Sequence, residues 1–396
     1  MLTRRPTSKI SITLALAAAL IVLGTLPALG QTPTLTIGGE LQVNSYTTGS
    51  QWFPASAMLE DGSFVIVWQS GGSDNGDDDG SSVQGRRYSS GGEPLASTFL
   101  VNAYTTGAQE DPAITAVPDG GFIVVWESAG SDGDDTSDRS IQAQRFDSSG
   151  NGIATPFQVN DYTTNAQVDP RVAADDDGGF VVVWASSGSD GGDTSNESIQ
   201  GQRFASDGTA LGTQFQVNDY TSSEQDQASV AMAGDGSFLV VWRSLGSDNG
   251  ADSGRTVQAQ RFDSAGSPIA GQFLVNSYTD GSQLEPDVGV AADGTFVVAW
   301  ESNGSNGSDS AFYSVQAQRF SADGNAVGDQ IQVNTYTTSS QRGPSIGVDQ
   351  GGDFVVTWRS YGSDNGDVSR NSVRLRHPRA AVRLGGRADR QSVSSQ

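Results

Sequence analysis

Residues 159–215 read VNDYTTNAQVDPRVAADDDGGFVVVWASSGSDGGDTSNESIQGQRFASDGTALGTQF, and this unit recurs along the chain at intervals of 58 residues. A column of tryptophans and a column of phenylalanines mark the step, and neither needs a gap to align. Their members are Trp68, Trp126, Trp184, Trp242, Trp300 and Trp358, and Phe64, Phe122, Phe180, Phe238, Phe296 and Phe354. A fixed period of this length indicates repeated units that pack against their neighbours.

Each unit carries the signals of four short strands. In the third copy these are PRVAA, FVVVW, SIQGQRF and TQFQVN, with the turn DDDGG between the first two. FVVVW is apolar on both faces, which is typical of a strand that is covered on both sides. The small residues of the first strand suit a crowded innermost position.

The six units therefore predict an all-β fold, a six-bladed β-propeller of four-stranded blades. Tandem immunoglobulin-like domains need about 100 residues each, so a unit of 58 is too short for them. An open β-solenoid is the alternative that the pattern leaves.

The two ends of the repeat region complement each other. TIGGELQVN, residues 36–44, matches the closing strand of a unit but has no partner strands of its own. The sixth unit has three strands, ending near Val373, and lacks a fourth. We therefore expect residues 31–373 to form a propeller closed by an N-terminal strand, which would remove the two exposed sheet edges.

Both termini lie outside the repeat. Residues 1–30 have basic residues before an apolar run and small residues after it, which predicts a secretory signal peptide, with a membrane anchor as the alternative. We expect a secreted or cell-surface protein with no membrane insertion after cleavage. Residues 374–396 form a basic, off-pattern tail, which is either divergent and disordered or the product of a shifted reading frame.

Composition excludes several kinds of chemistry. The chain has no Cys and one His, His377, so thiol catalysis, histidine triads and histidine-ligated zinc are not expected. Its net charge of −24 repels nucleic acid. Only nine of the 46 acids are Glu, a bias that favours turns and oxygen-ligand loops. Adaptation to high salt is a competing explanation.

Three motifs in each unit resemble a repeat of large exported bacterial surface proteins, which often also carry RTX-type calcium-binding or adhesin-like modules. They are VNAYTTGAQEDP at residues 101–112, DGGFIVVWES at 119–128 and IQAQRFDSSG at 141–150. The resemblance covers residues 36–373 and implies extracellular adhesion or scaffolding. The chain departs from those proteins in having no nonapeptide RTX array.

Acidic loops follow the second strand of every unit, as in GSDNGDDDG at residues 72–80. Because calcium takes six to eight oxygen ligands, a Gly-rich loop with Asp at i and i+3 predicts a calcium site. The alternative is a hydrated, turn-prone loop. The candidate ligands are Asp74, Asp77, Asp79, Asp132, Asp135, Asp190, Asp193, Asp364 and Asp367.

Other repeated polar residues have structural interpretations. The Tyr column from Tyr46 and the Gln column from Gln51 are expected to fill gaps and satisfy loop backbone groups, with a sugar-binding ring as the alternative. Arg87, Arg145 and their equivalents are expected to form ion pairs with turn Asp residues.

The functional prediction is a non-enzymatic, exported binding or scaffolding module with an extracellular protein or carbohydrate ligand. The acids recur at equivalent positions in most units, whereas an active site needs one non-equivalent cluster. A lectin-like glycan binder is the alternative, and a carboxylate-based glycoside hydrolase comes third.

Overall fold

The computed structural model describes residues 41–362, except 74–75, 78, 132, 136, 190–191, 194–195, 247–253, 306 and 310–311, together with the backbone of residues 372–376. These residues contain 23 strands and no helix. The strands form six antiparallel sheets, each built from consecutive strands. No helix of the described part is long and apolar enough to cross a membrane.

The first three sheets consist of β1 (Gln51–Met58), β2 (Phe64–Ser70), β3 (Ser82–Tyr88) and β4 (Phe99–Leu100); β5 (Gln109–Ala116), β6 (Phe122–Ala129), β7 (Arg139–Phe146) and β8 (Gly152–Gln158); and β9 (Gln167–Ala174), β10 (Phe180–Ser187), β11 (Glu197–Phe204) and β12 (Phe215–Gln216). The fourth and fifth consist of β13 (Gln225–Met232), β14 (Phe238–Leu245), β15 (Arg255–Phe262) and β16 (Pro268–Leu274); and β17 (Gln283–Val290), β18 (Phe296–Asn303), β19 (Tyr313–Phe320) and β20 (Ala326–Gln332). The sixth has β21 (Gln341–Val348), β22 (Phe354–Ser360) and β23 (Ser372–Arg376).

The hydrophobic core is divided into layers between successive sheets. Val181 and Val183 of β10 pack in one cluster with Val240 and Trp242 of β14. Equivalent clusters fill the spaces between the other consecutive sheets. The second strands β6, β10, β14 and β18 are therefore covered by neighbouring sheets on both faces, which explains their continuous apolar sequence.

Repeated polar contacts confirm the structural interpretation of the Gln and Tyr columns. The Trp184 indole donates to Gln167 Oε1 at 3.2 Å, and the Gln167 amide donates to the carbonyl of Thr164 at 3.3 Å. Tyr46 lies against Gly72, where φ is +104° and a β-carbon would lie 2.9 Å from the Tyr46 hydroxyl. These columns hold the loops onto the sheets.

In the second, third and fourth sheets the Arg column forms a link to the next sheet, but not through the predicted ion pair. Arg145 Nη1 donates to the backbone carbonyl of Asp207 at 3.0 Å, and Arg261 donates to that of Asp323 at 2.6 Å. Both acceptors lie in a turn of the following unit. The acceptor is a carbonyl because the tight turn presents its backbone oxygen to the neighbouring sheet.

The all-β prediction and the repeated four-stranded sheets are confirmed, and the arrangement is consistent with a β-propeller. The predicted closing strand lies largely outside the described residues, and the sixth sheet has three strands in the part of the chain that is described. β23 continues to Arg376, so pairing extends slightly beyond the predicted boundary at residue 373. The signal segment and residues 377–396 lie outside the described ranges.

Candidate functional site

The acidic loops hold the predicted calcium ligands, of which Asp77, Asp79, Asp135 and Asp193 are described. The remaining candidates, Asp74, Asp132, Asp190, Asp364 and Asp367, lie outside the described residues. Asp77, Asp135 and Asp193 are each only 1% exposed. Buried carboxylates of this kind need protein hydrogen bonds or a cation.

An Asn side chain from the end of the same unit binds each buried Asp. Asn160 Nδ2 donates to Asp135 Oδ2 at 2.8 Å, and Asn218 Nδ2 donates to Asp193 Oδ2 at 3.0 Å. Asn218 Oδ1 also accepts the backbone N–H of Ile199 at 2.8 Å. One oxygen of each carboxylate therefore fastens its loop to the sheet, a buried contact that the prediction of a hydrated, turn-prone loop did not include.

A different set of polar residues lies where the first and second strands of each sheet pair. At this position the two opposed residues change from sheet to sheet, although the surrounding columns are nearly constant. The opposed pairs are Trp52 with Gln69, Glu110 with Glu127, Val168 with Ala185, Asp226 with Arg243, Leu284 with Glu301, and Arg342 with Arg359. These pairs are the part of the fold that differs chemically between units.

A β-bulge follows each of these pairs on the first strand. The residue after the pair has positive φ in every sheet, including Asp111 at +46° and Asp169 at +55°. A bulge redirects one side chain out of the strand's alternation and is common beside active sites. The two carboxylates are thereby presented from equivalent positions of neighbouring sheets.

The bulges bring Asp111 and Asp169 to Glu127, which lies on β6. One carboxylate oxygen from each of these three residues lies within 4.8 Å of the other two. Glu127 is only 2% exposed, whereas the two Asp residues are half-buried. Glu127 Oε1 accepts the backbone N–H of Asp169 at 2.7 Å. We call Asp111, Glu127 and Asp169 the acidic cluster.

The acidic cluster has perturbed protonation. Burial, followed by repulsion from Asp169, raises the pKa of Asp111 to about 6. Burial also raises the pKa of Glu127 to about 7, although the Asp169 backbone N–H and Arg139 stabilise its charged form. A carboxyl group that keeps its proton near neutral pH can serve as a general acid.

Neighbouring side chains partly balance the charge of the acidic cluster. Arg139 contacts Glu127 and lies 2.7 Å from Glu110 Oε2. Glu110 also accepts hydrogen bonds from Gln69 at 3.0 Å and from Ser81 at 3.1 Å. The site is therefore an organised set of contacts across the first three sheets.

A second group of acids continues the same surface in the third and fourth sheets. Glu197, Glu224 and Asp226 have carboxylate oxygens within 4.8 Å of one another. Arg243 binds Asp226 through both Nε and Nη2, and Arg255 lies 3.1 Å from Glu224. Burial raises the pKa of Glu197, and repulsion from Glu224 and Asp169 adds to the shift, which links this group to the acidic cluster.

The sequence prediction missed the acidic cluster because it searched for repeated acids. Glu127 stands in a column that holds Gln69, Ala185 and Arg243 in other units, so it looks like a random departure from the repeat. The informative signal is a change of charge between units, and not the repetition of acids. The columns that vary in charge, one or two residues after the invariant Gln and Trp columns, mark the non-equivalent site.

No family model matches the chain, and no curated protein matches it. Several solved structures are similar in fold. An α-L-arabinofuranosidase of Fusarium graminearum in complex with arabinobiose has a TM-score of 0.53 and 13% identity over 83% of this chain and 93% of its own. An α-L-arabinanase of Penicillium chrysogenum has a TM-score of 0.50 and 14% identity over 83% and 93%. An ulvan lyase has a TM-score of 0.50 and 11% identity over 78% and 77%.

These structures overturn the prediction that the protein is not an enzyme. The chain shares its fold with an arabinofuranosidase, an arabinanase and a polysaccharide lyase. The argument against catalysis, that the chain has no non-equivalent acid group, is also wrong, because Asp111, Glu127 and Asp169 form one. At these identities the likeness shows the fold alone.

Proposed function

We propose that this protein cleaves glycosidic bonds in an extracellular polysaccharide and that Asp111 and Asp169 are its catalytic residues. The observation that carries the proposal is the acidic cluster, where two half-buried carboxylates and a buried third have oxygens within 4.8 Å of one another. Glycoside hydrolases usually catalyse the reaction with two carboxyl groups whose pKa values differ. The carbohydrate substrates of the similar structures add support.

In this mechanism Asp111 is the general acid. Its pKa of about 6 leaves it protonated in a mildly acidic medium, so it can donate its proton to the glycosidic oxygen as the bond breaks. An oxygen of Asp169 attacks the anomeric carbon, and water, activated by Asp111, then hydrolyses the glycosyl ester that this attack forms. Oxygens within 4.8 Å of each other favour a retaining mechanism, in which the two carboxyl groups stand about 5–5.5 Å apart.

Glu127 acts as a positioning residue beneath this pair. Its burial keeps it from a substrate, and its bond to the Asp169 N–H fixes the bulge that carries Asp169. Arg139 holds Glu127 in turn. The catalytic carboxylates are thus supported by a layer of buried contacts, as precise catalysis requires.

The proposal is tested by measuring the release of reducing ends from a panel of neutral and anionic polysaccharides, including arabinan and ulvan. Wild-type protein should act on at least one of them, and the double variant Asp111→Asn, Asp169→Asn should lose roughly 10³-fold or more of that activity. Asp323→Asn is the control, since it makes the same type of substitution in an exposed turn. Binding without turnover would replace the proposal by the lectin-like alternative.

We also propose that the six sheets close into a ring through the N-terminal segment. Val43 is 1% exposed and packs with Phe64, Ile66 and Trp68 on the open side of the first sheet. Val101 has the equivalent place between the first and second sheets. The position of Val43 supports a strand at residues 36–44 that completes the sixth sheet.

Calcium binding by the acidic loops remains a proposal. Its support is the set of carboxylates at Asp77, Asp79, Asp135 and Asp193 in loops on one side of the sheets, and its competitor is the Asn contact described above. Calcium that binds only the folded protein must raise its Tm. If millimolar calcium, added to protein that has first been treated with a chelator, leaves the Tm unchanged, the proposal is wrong.

Export through the N-terminal segment is likewise proposed, from the apolar run after basic residues and from the resemblance to exported bacterial repeats. An extracellular location agrees with a polysaccharide substrate. Adhesion or scaffolding, the role that the resemblance implies, stays a prediction that a cell-surface localisation assay would test.

A further inference from the structure

Two arginines lie directly opposite each other in the sixth sheet. Arg342 on β21 pairs in register with Arg359 on β22. Like charges at opposed positions of an antiparallel pair destabilise a sheet. In the fourth sheet the same two positions hold Asp226 and Arg243, which form an ion pair. The arginine pair is therefore a costly departure from an arrangement that the chain uses elsewhere.

The charge of this pair is only partly balanced. Arg342 lies 3.5 Å from Glu301 Oε1, at the edge of ion-pair distance. Among the described residues no carboxylate forms an ion pair with Arg359. By contrast, the Glu110–Glu127 pair of the second sheet is bridged by Arg139. The sixth sheet thus has an excess of positive charge in a strongly acidic protein.

Aromatic side chains surround the arginine pair. The Arg342 guanidinium lies 3.9 Å from the centre of the Tyr313 ring, and that of Arg359 lies 5.6 Å from the Tyr361 ring. A surface cleft here is lined by Phe312, Ser339, Ser340, Arg342 and Tyr361. Phe312 is 63% exposed. The other units have no aromatic residue at the positions of Phe312 and Tyr361.

We infer that this aromatic–arginine cleft binds a negatively charged group, a uronate carboxylate or a sulfate ester, on the saccharide that the protein recognises. The inference rests on the proposed function, since it names the chemical class of the substrate. It rests on Arg342 and the aromatic residues that line the cleft, and on Arg359, which lies opposite Arg342 on β22.

The chemistry of the cleft fits such a ligand. Guanidinium groups present paired N–H donors that match the geometry of carboxylate and sulfate oxygens. The exposed Phe312 ring and the half-buried Tyr361 ring offer flat apolar surfaces against which a sugar ring can pack. Elsewhere the net charge of −24 repels anions, so an anionic saccharide would be held at this cleft rather than across the surface.

The test is a binding titration of the full chain that carries Asp111→Asn and Asp169→Asn, so that no probe is consumed. The uronate probes are oligogalacturonate and its fully methyl-esterified form, which differ only in the carboxylate charge. The sulfate probes are a sulfated galactan oligosaccharide and its desulfated form. We expect at least one charged probe to bind tenfold or more tightly than its neutral partner, and the arm that does so identifies the anionic group.

Arg359→Gln should reduce that preference tenfold or more, and Arg359→Lys should restore part of it. Arg255→Gln, which removes the same charge from a paired arginine of the fourth sheet, should leave the preference unchanged. The Tm of Arg359→Gln should be equal to or above that of the parent, because a like-charge contact is removed. This result would show that lost binding is not lost folding.

Equal binding of the charged and neutral partners in both arms would overturn the inference and leave the proposed function standing. An unchanged preference in Arg359→Gln would also overturn it. If none of the four probes binds, the inference fails, and the reducing-end assay then decides separately whether the proposed function fails with it.

Discussion

At the scale of single residues, the bulge position of Asp111 is one where the requirements of stability and of the proposed catalysis differ. Asp111 has φ of +46° and lies in a cluster of like charges. A non-Gly residue in this backbone region costs on the order of 1 kcal/mol or more, and the sixth sheet has Gly343 at the equivalent place. Asp111 therefore stands where glycine would be more stable.

Asp111→Gly should accordingly keep or raise the Tm, by a few degrees at most, while it abolishes cleavage of polysaccharide. The glycine relieves both the backbone strain and the repulsion from Asp169. Thermal unfolding and reducing-end release, measured on the same preparation, check the two halves. A large loss of Tm would mean that Asp111 has a structural role, which would contradict its assignment as a residue kept for catalysis.

The buried loop carboxylates permit a similar separation. Asp193→Ala should destabilise the protein by about 1–3 kcal/mol, because Asn218 Nδ2 loses a carboxylate acceptor in a buried position. Asp193→Asn keeps a carbonyl acceptor and should cost less. Chemical denaturation in the presence of a chelator measures both. Equal losses in the two variants would show that the charge, and not the hydrogen bond, is what the loop needs.

At the scale of strands and sheets, most of the architecture was predictable. FVVVW predicted β10 because its apolar run has no exposed face, and the invariant Gly of DDDGG predicted the turn before it. The bulges were not predictable, because residues such as Asp169 and Gln227 carry no local preference strong enough to reveal positive φ. The candidate site was missed for the same reason, since the bulge is what brings Asp111 and Asp169 together.

The strand-paired acids also predict how stability depends on pH. Burial raises the pKa of Asp111 from 3.8 to about 6 and that of Glu127 from 4.5 to about 7, and it raises the pKa of Glu301. At a pH below their ordinary pKa values, these carboxyl groups are protonated in both the folded and the unfolded chain, so the free energy of unfolding does not depend on them. As pH rises through the window from about 4 to 7, only the unfolded chain ionises freely, so the free energy of unfolding falls.

The Tm should therefore be several degrees higher at pH 5 than at pH 8. In the opposite direction, hydrogen bonds from Ser63 lower the pKa of Asp61 and those from Asn151 lower that of Asp147, so stability is also lost as pH falls through the low pKa values of such turn acids. Scanning calorimetry from pH 3 to pH 9 measures both limbs. Glu127→Gln should reduce the decrease of Tm above pH 5. An unaltered decrease in this variant would show that other groups cause it.

At the scale of the whole molecule, contacts between neighbouring sheets hold the repeat together. Core clusters join the sheets one after another, and the Arg column adds a link from the second, third and fourth sheets to the turn of the next. The open side of the first sheet is the exception. Pro54 on that side is exposed, whereas its equivalents Pro112 and Pro170 are buried.

Ring closure predicts that residues 31–44 are needed for stability. Val43→Asp should destabilise the protein by roughly 3 kcal/mol or more, because it places a charge among Phe64, Ile66 and Trp68. Gln42→Asp, at the exposed neighbouring position, is the control. Thermal unfolding compares the two, and equal, small effects would show that the segment does not seal the first sheet.

The central claim is that Asp111 donates a proton and Asp169 attacks the anomeric carbon. Its most direct test uses an aryl glycoside, with a good leaving group, of the sugar that the polysaccharide panel identifies. Asp111→Asn should lose activity on the polysaccharide but keep much of it on the aryl glycoside, which needs no proton, whereas Asp169→Asn should lose both. Full polysaccharide activity in either variant would contradict the claim.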